Sequence, residues 1–372
     1  MKRVLWGRQI VRRDFWKANE VQIMGAPMSD LLTISIEELQ SRVGKAFESA
    51  GLNKIQSESI SRVIVAGERD GCKSHGIYRI EGALRTIKAG KVNVDAEPYI
   101  IDGEADAIVQ VNADLGFANP AFDVGIDALV ERTRRLGLAA LSINDCTHFS
   151  ALWSEVEKIT EKGLSCIVMC PSYSSVAPAG GDKALLGTNP FAFGWPRPGC
   201  EPYVFDFATS VIARGEIELH RRAGKPLPEG WALDPTGRPT TDPDAALAGA
   251  MLPFGGAKGS ALSTMIELLA GVMLGDLTSR DAIEYLGATT LSPRHGELVL
   301  AMAPEKFAAH RPGDPYTRAE ALFGEILGQG ARLPSQRRFS ARRMAMREGI
   351  QLSAEEMEQL ARFEDLGLEA VP

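Results

Sequence analysis

The sequence predicts a mixed α/β protein on three observations. Apolar residues recur at helical spacing over roughly the stretch 35–90. From about Val94, short apolar runs alternate with helical segments. A charged, helical stretch then closes the chain from about Tyr316. Short strands interleaved with helices mark an α/β chain rather than an all-helical or all-strand one. At 372 residues the chain is too long for one simple core and suits two domains, or a discontinuous pair.

The elements follow in order. Ser35-Ile-Glu-Glu38 has the pattern of a capping box, and Ile36, Leu39, Val43 and Phe47 then fall on one helical face. Gly51 ends that helix. Further helices are predicted from about Ser57 to Glu68 and from about Tyr78 to Lys88. Ala107 to Val111 reads as a strand, Pro120 to Arg135 as a helix, and Leu138 to Ile143 as a strand. A helix across Ala151 to Lys162 and a strand from Leu164 to Met169 come next, then short strands at Phe191 to Phe193 and Tyr203 to Phe207. Residues 224–239 form a Pro/Gly-rich excursion, of the kind that carries function when ordered. Lys258 to Leu274 is the most apolar helix. It is too short, and too interrupted by Glu267, to span a membrane, so a buried core helix is expected there.

Composition narrows the function. A net charge of -7, from 41 basic and 48 acidic residues, argues against a nucleic-acid surface. Five cysteines without a CxxC pair make no disulfide framework and fit a reducing cytoplasm. Residues 1–28 are basic, lack the apolar core of a secretory signal, and are read as a loose extension. No G-x-G-x-x-G follows a strand and no P-loop occurs, so neither a Rossmann fingerprint nor a P-loop can be claimed. The spacing of His75, His148, His220, His295 and His310 matches no metal motif, and no metal is expected.

Five stretches look like site material. Asp70-Gly-Cys-Lys-Ser-His-Gly-Ile-Tyr-Arg79 puts a hydroxyl, an imidazole and a guanidinium at a helix-to-helix joint. Histidine titrates nearest neutrality and arginine holds carboxylates with a planar fork. The bland alternative is a helix end whose Ser and His satisfy backbone groups. Asn144-Asp-Cys-Thr-His-Phe-Ser-Ala-Leu-Trp153 leads from a strand into a helix, where free N–H groups favour anions unless Thr147 or Ser150 caps them. Gly187-Thr-Asn-Pro190 is a polar turn. Asp206-Phe-Ala-Thr-Ser210 ends a strand before a helix carrying Arg214 and Glu216. Gly255-Gly-Ala-Lys-Gly259 opens the apolar helix with a lysine in its first turn.

Taken in this order, D-G-x-x-S-H-G-x-x-R, the H-F segment, G-T-N-P, D-x-A-T-S, the P-E-G-W-A-L-D to P-T-T-D-P excursion and G-G-x-K-G resemble the malate/L-lactate/ureidoglycolate dehydrogenase-like NAD(P)-dependent oxidoreductases. The resemblance runs from about Leu31 to the Arg-rich C-terminal segment. Around the pocket, His148 to Trp153, Gly255 to Ser263 and Arg337-Arg338-Phe339 look nearest to the Δ1-piperideine-2-carboxylate/Δ1-pyrroline-2-carboxylate reductases. The resemblance implies a non-Rossmann fold, with a largely antiparallel sheet domain and a helical domain built from both chain ends. The expected divisions are 29–95 (helical, catalytic), 96–305 (cofactor-binding sheet) and 306–372 (C-terminal, packing on the N-terminal part).

It also implies roles. Ser74 and His75 would be the catalytic pair with His75 the proton donor, and Arg79 and Thr188 would bind substrate. Glu216 stands where the reductases have the aspartate of the relay, one methylene longer, and Arg214 stands where they have a histidine. The cofactor would meet His148, Phe149, Ser150, Ala151, Leu152, Asp206, Phe207, Ala208, Arg214, Lys258 and the Gln336 region, including Arg337 and Arg338. A 2'-phosphate on those arginines would favour NADPH, with NADH the alternative. The implied function is reduction of a cyclic imino acid to L-pipecolate or L-proline by a homodimer with no nucleic-acid or membrane partner. The same fold also supports a 2-hydroxy-acid dehydrogenase acting on malate, lactate or ureidoglycolate.

Overall fold

The computed structural model describes residues 31–101, 103 and 105–372, so the expected extension over 1–28 lies outside the described residues. The chain begins β1 (Leu31–Ile34), α1 (Ile36–Ser49), α2 (Lys54–Arg69), a 3-10 turn at Lys73–His75, and α3 (Tyr78–Lys88). β2 (Tyr99–Ile101), β3 (Ile108–Asn112), α4 (Ala118–Leu136), β4 (Leu138–Thr147), α5 (Trp153–Thr160), β5 (Ser165–Met169), β6 (Phe191–Trp195) and β7 (Tyr203–Phe207) follow. The excursion region comprises α6 (Arg214–Arg222), β8 (Ala232–Leu233), β9 (Pro239–Thr240), α7 (Pro243–Ala248) and β10 (Ala250–Met251). Next come α8 (Ala257–Ile266), a π-helical turn at Glu267–Val272, α9 (Ser279–Leu286) and β11 (Arg294–Met302). α10 (Pro304–Ala308), α11 (Pro315–Gly328), α12 (Gln336–Glu348), β12 (Ile350–Ser353) and α13 (Ala354–Leu366) complete the described chain.

Among the described residues the main sheet has seven strands in the order β2-β3-β4-β11-β5-β6-β7, and only β3 and β4 run parallel. It is therefore the mixed, largely antiparallel sheet expected. Long-range insertion of β11 between β4 and β5 makes the centre, where Leu141, Ile143, Val168 and Val299 are all buried. Phe122 and Leu129 of α4 and Val156 and Ile159 of α5 join that core. Each such side chain contributes roughly 1.5–3 kcal/mol on burial.

A second core ties the chain ends together. Leu39, Val43 and Phe47 of α1, Ile60 and Ile64 of α2, and Ile80 and Leu84 of α3 pack with Leu352, Leu360 and Phe363. β1 pairs antiparallel with β12. Ser35 does cap α1, its hydroxyl accepting from Glu38 N–H at 3.0 Å. α2 starts earlier than expected because Asn53 accepts from Gln56 N–H and nucleates an extra turn.

One expectation holds only in part. Residues 258–274 are buried on one side only: Ile266 and Ala270 are fully buried, but Leu268, Val272 and Met273 are 54–58% exposed. At Glu267 the α-helix gives way to a π turn, and that carboxylate points inward. It accepts from Asn189 Nδ2 at 2.8 Å and Ser279 N–H at 2.8 Å. Leu268, Val272 and Met273 are left facing outward, while Ile266 and Ala270 pack against Met169 and Leu298. The excursion is ordered as the small sheet β10-β8-β9 around Leu227, Ala232 and Met251.

Candidate active site

The α2–α3 joint is tight because two glycines allow it. A Cβ on Gly67 would sit 2.5 Å from the His75 carbonyl oxygen, and one on Gly76 would overlap the Glu68 side chain. Glu68 in turn accepts from Ile77 N–H at 2.9 Å. The 3-10 turn at 73–75 thereby leans on α2, and Arg79 in the first turn of α3 comes back over it. Arg79 Nε donates to the Ser74 carbonyl at 2.7 Å, Ser74 Oγ lies 3.1 Å from His75 Nδ1, and Arg79 Nη2 lies 3.4 Å from His75 Nε2. Arginine can only donate, so Nε2 is the accepting nitrogen and Nδ1–H donates to Ser74. Burial, and then the Arg79 charge, pull the His75 imidazole down to about 3. The free protein thus holds a neutral His75 against an arginine that has no carboxylate partner among the described residues.

These groups open into a cavity of about 980 Å³. Thr188 faces them from the turn after β5, positioned by Asn189. Asn189 sits at φ 33°, in the left-handed region, and its side-chain N–H groups donate to Ser263 and Glu267. Tyr173 donates to the Thr289 carbonyl at 3.1 Å, and Arg214 holds Leu247 O and Thr289 Oγ1 at 3.1 Å each. Sequence patterns gave no sign of Tyr173, which belongs to no motif.

The cavity also collects His148, Phe149, Ser150, Ala151, Asp206, Phe207, Ala208 and Arg214. Phe207 is 41% exposed there, a flat face against which a planar ring can stack. A cavity of 980 Å³ far exceeds a five- or six-membered ring acid and suits a dinucleotide beside it. The residues present therefore fit a nicotinamide cofactor.

Several expected contacts are corrected. At the N-terminus of α5 one free N–H group is already taken, because Asp206 Oδ2 accepts from Trp153 N–H at 3.0 Å. Burial raises the Asp206 carboxyl to about 6 despite these backbone hydrogen bonds. Leu152 is fully buried in the sheet core, not on the cavity wall. Glu216 makes no hydrogen bond to Ser74 or His75; its Oε1 is buried without a partner, because the start of α6 turns this side chain away from the cavity. Lys258 is exposed and outside the cavity wall, since two left-handed glycines (φ 57° and 60°) carry the chain past it. Arg338 is committed internally: it pairs with Asp70 at 3.0 Å and Glu157 at 2.5 Å, and stacks 4.2 Å from the Trp153 ring. Arg337 is exposed.

Histidine spacing also concealed a buried polar cluster. His148, His295 and Cys170 bring ring nitrogens and sulfur within 4.8 Å of one another, and His148, Glu155 and Glu297 do the same.

Comparison with known proteins adds to this geometry. A family model described as malate/L-lactate dehydrogenase matches residues 34–361. A Δ1-pyrroline-2-carboxylate reductase of Agrobacterium fabrum is 67% identical over 344 residues, 92% of this chain and 100% of that one. A Δ1-pyrroline-2-carboxylate/Δ1-piperideine-2-carboxylate reductase of Pseudomonas aeruginosa is 49% identical, over 86% of this chain and 96% of its own. Among solved structures, a Δ1-piperideine-2-carboxylate reductase from Pseudomonas syringae superposes with a TM-score of 0.85 at 38% identity, covering 89% of this chain and 99% of that one.

Proposed function

Because the chain belongs to the malate/L-lactate dehydrogenase family of NAD(P)-dependent oxidoreductases, we propose that it reduces a cyclic imino acid, Δ1-pyrroline-2-carboxylate or Δ1-piperideine-2-carboxylate, to L-proline or L-pipecolate with NADPH. The observation that carries this reading is Arg79. It is a guanidinium in a cavity, beside an imidazole, with no carboxylate among the described residues to neutralise it. An α-imino carboxylate supplies the missing anion and presents its nitrogen to His75.

Catalysis then needs few groups. Arg79 grips the carboxylate, and Thr188 closes on the substrate from the opposite wall. A carboxylate on Arg79 offsets the charge that, after burial, keeps His75 unprotonated, and so shifts the imidazole toward its protonated form as substrate arrives. His75 delivers that proton to the ring nitrogen, and Ser74 Oγ holds Nδ1 while it does so. The dinucleotide, when bound, supplies the hydride to C2. Side-by-side placement of the two reactants is worth roughly 7–11 kcal/mol of barrier in favourable cases. Glu216 takes no part.

NADPH rather than NADH rests on Arg337, exposed on the first turn of α12, where Arg338 is already spent. We further read the enzyme as a cytoplasmic homodimer. No described helix is long and apolar enough to cross a membrane, and the outward face of Leu268, Val272 and Met273 supports a self-association surface.

A second reading, oxidation of a 2-hydroxy acid, is favoured by the neutral His75, which is poised to accept a hydroxyl proton. Following NADPH oxidation with the two imines, oxaloacetate and pyruvate side by side decides between them. The proposal expects turnover of an imine well above that of the keto acids. Rapid keto-acid turnover without imine activity overturns it.

A further inference from the structure

Behind His148 and His295, away from the groups used above, lies a carboxylate with nothing to bind. Glu297 of β11 is 0% exposed, and neither of its oxygens has a hydrogen-bond partner among the described residues. A bulge in the β11–β4 register falls between His295 and Glu297, a device that re-aims side chains beside active sites. Glu297 Oε2 ends 3.7 Å from His148 Nε2. Glu155 of α5, 2% exposed, brings an oxygen within 4.8 Å of both. Its own two oxygens are anchored by Asn119 Nδ2 at 2.8 Å and Ser154 Oγ at 2.7 Å.

Two carboxylates this close in a dry interior cannot both ionise. The surrounding groups do not relieve them. Cys146 faces the pair from β4 and His148 from just past its end, His295 from β11 and Cys170 from just past β5. Asp206 of β7 adds another carboxyl, and Lys158, the cation that lowers Glu155, is bound to Asp123 at 2.6 Å. Burial accordingly raises Glu155 to about 7 and Glu297 well above the usual carboxylate range, Glu297 being raised further by Glu155 itself. Burial first, then His295, His75 and Arg79, keep His148 well below the usual imidazole value.

We propose that Glu155 and Glu297 share a single proton behind His148 and thereby set which ring nitrogen of His148 carries its hydrogen. With the proton on Glu297, its hydroxyl donates to Nε2 and the ring hydrogen lies on Nδ1. With Glu297 ionised, Nε2–H donates to the carboxylate and Nδ1 becomes an acceptor. His148 lines the cavity, so the pair is a positioning device for the imidazole that meets the bound reactants. Its structural part stands apart from the proposed reaction, and only its effect on turnover rests on that reading.

The direct test is ¹⁵N-histidine NMR of the wild-type protein from about pH 5 to 9, with His148 assigned by its loss in His148→Asn. His148 is expected to stay neutral while its two nitrogens exchange roles as the pair passes from two protons at low pH to the one it shares. In Glu297→Gln the exchange disappears and one tautomer persists. A ring tautomer that does not change across this range, or one that changes identically in Glu297→Gln, overturns the proposal whatever the substrate proves to be. With a working assay, Glu297→Gln removes the ionisation near neutrality from the pH profile of kcat while KM for the carboxylate substrate moves less than about twofold. A merely structural role would instead lower kcat evenly at every pH, and that result also overturns it.

Discussion

Arg79 and His75 explain each other. A guanidinium without a counter-ion is costly away from bulk water, and here it also suppresses protonation of the imidazole 3.4 Å away. The site is therefore incomplete until a carboxylate enters. Arg79→Lys keeps the charge but loses the planar fork that reaches both substrate and Ser74 O. We expect kcat/KM for the imino acid to fall roughly 10²-fold, most of it in KM, with cofactor affinity unchanged. Steady-state kinetics with each reactant varied checks this. The D-G-x-x-S-H-G-x-x-R pattern made this trio legible, because all three residues lie within one turn and one helix start. Glu216 was misplaced for the opposite reason. Its assignment depended on where α6 points, and the sequence near it holds no information about that.

At the level of elements, the joint between α2 and α3 is set by contacts on the α2 side. Gly67 leaves no space for a methyl group against the His75 carbonyl. Gly67→Ala is expected to cost about 1–3 kcal/mol by pushing the 3-10 turn off the helix, lowering the thermal midpoint and kcat together. Thermal denaturation with a parallel activity assay checks it. The apolar segment 258–274 teaches a related lesson. Its hydrophobicity suggested a core helix, yet a carboxylate, Glu267, faces inward beside Ile266 and Ala270, where it fixes the Asn189 turn and so Thr188. Composition identified the helix, but which side is covered depends on long-range partners in the turn after β5 and in α9.

Across the whole molecule, the C-terminal helices hold the catalytic joint from behind. Arg338 and Arg342 of α12 both reach Asp70, at the end of α2, and Glu157 of α5. Burial pushes the Asp70 carboxyl up, but hydrogen bonds from Arg342 and Arg69 outweigh it and hold the group below its usual value. Stability from Asp70 is therefore present above the ordinary aspartate range and is lost as pH falls through its lowered native value. Asp70→Asn takes the carboxylate from three arginines, Arg69, Arg338 and Arg342, and is expected to cost about 3–5 kcal/mol, with the acid limb of the stability profile reduced. Urea unfolding over a pH series measures both effects. The strand-and-helix order of this fold was readable from periodicity. The insertion of β11 between β4 and β5, the pairing of β1 with β12 and the internal use of Arg338 were not, because each joins residues more than a hundred positions apart.

The central claim is that His75, charged only when a carboxylate sits on Arg79, protonates the substrate nitrogen. Its most direct test is the pH dependence of kcat for imine reduction in the wild type and in His75→Asn. The wild type should show kcat falling as pH rises through an ionisation lying above the free-protein value of about 3, and His75→Asn should lose that limb together with about 10²-fold or more in rate. An unchanged profile and rate in His75→Asn would contradict the account.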